Sequence, residues 1–187
     1  MFKLVLGAAL SSSLFLAGCA SSPGGKSGER APEYTRLAAP VAVPKASSRN
    51  VVLAMTGPKA IVESKDWGEF QREWRETFAD HAKLAGAAYR FVDGEAQPTG
   101  MDGTILQVTV NDYRIMGVGM RLMLGIMAGN AYIDAKVRFL NLRDGAAFGE
   151  QQYNTSSSAS GGVFSRVTPQ QVDAIAGSIF VDVKEAK

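Results

Sequence analysis

Ala131-Tyr132-Ile133-Asp134-Ala135-Lys136-Val137-Arg138-Phe139-Leu140-Asn141 is the stretch whose reading decides the fold. Ile133, Ala135, Val137 and Phe139 fall on one side of an extended chain, and Tyr132, Asp134, Lys136 and Arg138 on the other. A period of two means a strand, because successive side chains point to opposite faces. Apolar on one side and polar on the other means a sheet with one covered face and one wetter face, the habit of antiparallel sheets. Arg143-Asp144-Gly145 follows as a hairpin turn, and the return strand runs from about Ala146 to Thr155. On the other flank, residues 103–116 form the longest strand candidate. Leu106, Val108 and Val110 share a face, with Gln107 and Thr109 opposite. At Asn111-Asp112 the alternation slips, and Tyr113 and Ile115 carry the apolar pattern onward. A bulge accounts for that change of phase.

Two further strands and two helices complete the pattern. Val51 to Met55 is a short apolar run stopped by Thr56-Gly57-Pro58, and Tyr89 to Val92 is a short strand closed by Asp93-Gly94. Between them, residues 66–85 carry Trp67, Phe70, Trp74, Phe78, His81 and Ala85 on one helical face. Ser64 or Asp66 suits the N-cap and Gly86 the C-terminal stop. Residues 169–184 form the second helix, with Val172, Ile175, Ile179 and Val183 as its stripe. Thr168 reads as N-cap, Pro169 as the first helical residue, and Gln171 as the partner in a capping box. Gly177 inside this helix costs about 1 kcal/mol relative to alanine, which suggests close packing there. The order β-α-β-β-β-β-α predicts a two-layer α+β domain: a largely antiparallel sheet of four to five strands under two amphipathic helices.

The N-terminus has a different chemistry. Lys3 supplies a positive charge, and Leu4 to Phe15 form an apolar segment of 12 residues interrupted by Ser11, Ser12 and Ser13. That layout is a secretory signal peptide, too short to span a bilayer, which needs about 20 apolar residues. Leu16-Ala17-Gly18-Cys19 follows at once, with the only cysteine in 187 residues. An ordinary signal peptide with an incidental cysteine is one reading. The other is processing as a lipoprotein, because Leu-Ala-Gly-Cys resembles the bacterial lipobox residue for residue. That resemblance implies cleavage between Gly18 and Cys19 and a diacylglycerol thioether on Cys19, usually with acylation of the new amine. Each buried CH₂ contributes roughly 0.8 kcal/mol, and two or three chains make a stable anchor. Residue 20 is Ala, whereas an Asp there commonly marks retention in the inner membrane. The resemblance therefore implies the outer membrane, on its periplasmic face, with the inner membrane the less favoured site.

Three segments result: 1–18 as signal peptide, 19–48 as lipidated tether, and 49–187 as one periplasm-facing domain. The tether is rich in Ser, Gly, Pro, Ala and Lys. Tyr34 to Val43 could instead lie against the domain, since Leu37, Val41 and Val43 are apolar. The whole chain carries a net charge of +2, and loss of residues 1–18 removes one lysine and no acid. That balance argues against a polybasic nucleic-acid binder. A lipidated Cys19 leaves no thiol, so the fold uses no disulfide.

Between the two long strands lies an odd segment, residues 115–129. It contains four of the seven methionines and four glycines. It reads as a long hairpin whose methionines fill core gaps, or as an exposed apolar loop that docks a partner or dips into the membrane. A phosphate-cradling loop is weaker, because Gly117-Val118-Gly119 lacks the third glycine and no Lys-Ser/Thr pair follows. If the segment is a contact, Met116, Met120, Leu122, Met123 and Met127 are its candidate residues.

Candidates for chemistry are sparse. His81, the one histidine, lies on the apolar helix face and reads as a packed, hydrogen-bonded residue. No G-x-S-x-G elbow exists for a serine nucleophile. The His and Cys count leaves no zinc set of those ligands, and no metal is expected. Asp102, Asp112, Asp134 and Asp144 are spread through strands and turns and read as solvated surface. Trp67 and Trp74 read as core anchors. The polar run Tyr153 to Ser160 reads either as a solvated loop or as an edge strand open to a partner.

The pattern Phe148-Gly149-Glu150, Tyr153-Asn154-Thr155-Ser156-Ser157-Ser158-Ala159, Gly162-Val163-Phe164 and Thr168-Pro169-Gln170-Gln171-Val172 resembles small proteobacterial lipoproteins of unknown function. The segment between the two long strands is similar to that of the DUF4410 group. The resemblance covers about residues 100–185 and implies a periplasm-facing α+β domain without established enzymatic activity. The leading expectation is a non-enzymatic, membrane-anchored lipoprotein serving as an envelope interaction or assembly accessory. It would have an envelope protein as partner and no cofactor beyond the lipid on Cys19. Alternatives are a lipid or small-molecule binding module with residues 115–129 as lid, and an envelope hydrolase.

Overall fold

The structure, a computed structural model, describes residues 33–36, 41–115, 131–156 and 167–184. Its elements in chain order are β1 (Glu33–Arg36), a 3₁₀ turn (Lys45–Ser47), β2 (Asn50–Thr56), α1 (Lys59–Val62) and α2 (Trp67–Ala85). Then come β3 (Ala88–Asp93), β4 (Thr104–Arg114), β5 (Tyr132–Asn141), β6 (Ala147–Ser156) and α3 (Val167–Lys184). The strands form one sheet in the order β1-β6-β5-β4-β2-β3. Three of its five pairings are antiparallel, and β2 pairs in parallel with both β3 and β4. The domain is the α+β fold that the alternating strands and amphipathic helices predict.

The two long strands pair as their patterns require. Leu106 faces Phe139, Val108 faces Val137 and Val110 faces Ala135, and all six are fully buried. The register shifts between Val110 and Asp112, so the expected bulge is present. It rotates Tyr113 back toward the helices, where its ring stacks on Phe70 at 4.2 Å. From Phe70 an aromatic series continues through Trp74 (5.8 Å) and Phe78 (5.3 Å) to Phe180 of α3 (5.9 Å). Trp67, Phe70, Trp74 and Phe78 are the buried stripe of α2, four residues or fewer apart. Gly86 stops that helix with a left-handed φ of 70°. Asp66 holds the N-cap position without a side-chain capping bond, and the Ser64 hydroxyl meets Tyr113 Oη at 2.6 Å.

The parallel pairings arise because β2, α2 and β3 form a crossover unit, after which the chain passes β2 again to lay down β4. That return, residues 94–103, covers part of the face away from the helices. Val52, Ile105 and Leu142 make a small second core there, with Val92, Ala96 and Leu140 beside it. Gln107 ties the return down: its Nε2 donates to Gly94 O, and its Oε1 accepts from Ala96 N. On β4, β5 and β6 the same face stays wetter, and Arg138, Glu150 and Asn154 are exposed there.

Four expectations change. Glu33–Arg36, inside the stretch read as tether, is a strand paired with Tyr153–Ser156. Val41 and Val43 are buried, so these two residues lie against the domain as the alternative reading had them. Of the run Tyr153 to Ser160, read as a solvated loop or as an open edge strand, residues 153–156 belong to β6 and are paired with β1, while residues 157–160 fall outside the described residues. Thr168 is not the N-cap, because α3 begins at Val167. Gln171 is not part of a capping box: its Nε2 donates to the Ala131 carbonyl at 3.1 Å.

Candidate functional site

The sequence marks the segment between β4 and β5 as the candidate contact. Residues 116–130 lie outside the described residues, and with them Met116, Met120, Leu122, Met123 and Met127; so do Gly18 and Cys19. The two ends of the segment are described, and they are held by three elements.

At the β4 end, Tyr113 stacks on Phe70 at 4.2 Å and lies 6.1 Å from the Trp67 ring. Burial raises its hydroxyl above the ordinary tyrosine range, partly offset by the hydrogen bond with Ser64. Asp112, exposed by the bulge, accepts from the Tyr113 backbone N–H at 2.8 Å and from Tyr132 Oη at 2.7 Å. That bond raises the Tyr132 hydroxyl, since losing its proton would set two anions side by side. At the β5 end, Ala131 is fully buried, and Gln171 of α3 grips its carbonyl. Gln171 is itself fully buried. The roots are therefore fastened by aromatic stacking from α2, a tyrosine-to-carboxylate hydrogen bond across β4 and β5, and a hydrogen bond from the Gln171 side-chain amide of α3. Gln171 stands four residues before Ile175 of the apolar stripe, and that spacing was the available sign of the last contact.

The acidic residues separate into two sets. Asp112 and Asp134 are direct partners across β4 and β5. Like charges in that relation repel, and the surrounding donors offset it. Gln152 Nε2 donates to Asp134, and Asn154, with its amide nitrogen turned toward Asp134, donates to the same oxygen at 2.6 Å. Lys136 and Glu150 pair beside them at 2.8 Å. Asp102 and Asp144 stand apart. Asp102 accepts from Arg143 at 2.6 Å and raises the guanidinium above its usual range, and Asp144 accepts from Ala146 N within the hairpin.

His81 sits at the rim where α2 meets α3, hydrogen-bonded to Asp173 Oδ1 at 2.8 Å and stacked on Phe180 at 5.9 Å. Its side chain is 21% exposed, so it is packed and hydrogen-bonded as expected, but at the edge of the core rather than within it. Trp67 and Trp74 are buried at 7% and 0%. Among the described residues no group of three or more His, Cys, Asp or Glu side chains is placed to hold a metal ion. No described helix is long and apolar enough to cross a membrane.

No protein-family model and no curated protein matches the chain. Solved structures give distant similarities. One is to a variant PelC dodecamer from Paraburkholderia phytofirmans, with a TM-score of 0.48 and 13% identity over 83% of this chain and 99% of that chain. A second is to a Xanthomonas campestris protein, with 0.44 and 13% over 74% and 87%. A third is to lipoprotein GNA1162 from Neisseria meningitidis, with 0.37 and 14% over 70% and 97%. None of these similarities bears on function.

Proposed function

We propose that this chain is a lipoprotein held on the periplasmic face of the bacterial outer membrane, where it acts without catalysis as an interaction or assembly accessory. The observation that carries the reading is Leu16-Ala17-Gly18-Cys19 directly behind the apolar run, with Cys19 the only cysteine. Residues 20–32 separate Cys19 from β1, 13 residues that reach at most about 45 Å at 3.3–3.6 Å each. That length of chain keeps the domain close to the headgroups. The 115–129 segment, with its roots fastened by α2, α3 and the β4–β5 pair, is the surface through which it meets an envelope protein.

Cys19→Ser is expected to abolish metabolic labelling with palmitate and to leave unprocessed precursor. Normal processing and membrane fractionation of that variant would defeat the anchor. For the contact, crosslinking in cells from position 120 should capture an envelope protein, and Met120→Asp should remove the capture with thermal stability unchanged. A large drop in stability would instead place Met120 in the core.

A further inference from the structure

The outer edge of β6 is a self-association hazard that the chain covers with its own N-terminal strand. Gln151-Gln152-Tyr153-Asn154-Thr155-Ser156 is a six-residue window without charge, proline or glycine. Windows of that kind, rich in amides and aromatic rings, favour intermolecular strand pairing when an edge is open. Within the domain β6 is firmly seated: Gln151, Tyr153 and Thr155 are 1%, 0% and 3% exposed, and Thr155 Oγ1 accepts from Ile133 N at 3.2 Å. An edge of that length would normally carry a lysine, a proline or a bulge to deter pairing. Residues 151–156 carry no lysine or proline, and the register shift between β5 and β6 lies at the other end of the strand.

What covers the edge is β1. It pairs with β6 over four residues, Glu33 with Ser156 through to Arg36 with Tyr153, whereas β5 holds the other side of β6 over nearly its whole length. Its own two ends are charged, Glu33 and Arg36. The chain downstream is held without it: Val41 packs over Gly149 and is 7% exposed, and Val43 is 1% exposed. Val41 and Val43 belong to the core, and β1 joins the domain through its pairing with β6 and its contact with α3. We propose that β1 is a removable guard on the β6 edge, and that when it is displaced β6 pairs antiparallel with β6 of a second copy. The two-fold arrangement follows from the surface being identical on both copies. The occupant is a second copy because this uncharged window is self-complementary. The inference does not depend on the lipid anchor.

The test uses the full chain in cells, with Asn154→Cys as reporter, since Asn154 is exposed and lies near the centre of the proposed pairing. Mild copper–phenanthroline oxidation is followed by non-reducing electrophoresis, with the wild-type chain as baseline. With the guard intact, Asn154→Cys should stay monomeric. Adding Tyr34→Pro and Thr35→Pro should convert it largely to covalent dimer, and further adding Gln152→Lys should return it to monomer. Arg143→Cys in the hairpin should not dimerise in either background. Equal crosslinking with and without the prolines overturns the proposal, as does a proline variant that stays monomeric or a dimer that survives Gln152→Lys. Should the prolines destroy protease resistance, the milder pair Tyr34→Gly and Thr35→Gly is read in the same way.

Discussion

Gly177→Ala should stabilise the domain. A glycine in a helix interior suggests that a neighbour needs the space, and Gly177 invites that reading. The structure removes the reason. A Cβ built at Gly177 meets only His81 Cε1, at 3.5 Å, an ordinary van der Waals distance. Its backbone has no positive φ, so alanine fits without strain. What remains is propensity: alanine is better than glycine in a helix interior by about 0.8–1.0 kcal/mol. For a domain of this size that gain raises Tm by about 3 °C and moves the urea midpoint up by about 0.5 M. The assay is urea unfolding of the chain from Ala20 onward, followed by circular dichroism, for the parent, Gly177→Ala, His81→Ala and the double variant. Independent effects should add. A loss of stability in Gly177→Ala that His81→Ala rescues would refute the reasoning, because it would mean that α2 and α3 do need the glycine for their approach.

Gly103→Ala should do the opposite: its Cβ would lie 2.7 Å from Asn50 O and from Leu142 Cδ2, and thermal melts should show a loss of about 1–3 kcal/mol. Phe70→Ala removes the fully buried ring that joins Trp67, Trp74 and Tyr113, and urea unfolding should show a loss of about 3–5 kcal/mol. Tyr89 couples stability to alkaline pH. Burial holds its hydroxyl above the ordinary range, against a smaller lowering by Arg75. A folded pKa above the unfolded value of about 10 makes stability fall as pH rises beyond that point. Tyr89→Phe should flatten part of that fall in a pH series of melts, and at neutral pH it should cost little, since the Tyr89 hydroxyl is buried with no hydrogen-bond partner among the described residues.

Most of the fold was legible in the chain because most of it is written locally. The period-two alternation of residues 131–141, the slip at Asn111-Asp112 and the aromatic spacing of residues 67–78 each state which face meets the core. Neighbouring strands joined by a tight hairpin then have little freedom of register.

What only the tertiary structure decided are the contacts between residues far apart in sequence. Glu33–Arg36 carries no apolar alternation, and it becomes a strand because β6 offers a free edge. Gln171 looks like a capping residue from its spacing, yet Ala131, 40 positions away, takes its hydrogen bond. Asp112 and Asp134 become neighbours only once the bulge sets the register of β4 against β5. Backbone periodicity and turn chemistry are properties of short windows, and composition reports them. Edge pairing, buried amide bonds and the room beside a glycine depend on which surfaces meet, and that is settled only when the sheet and its helices close on each other.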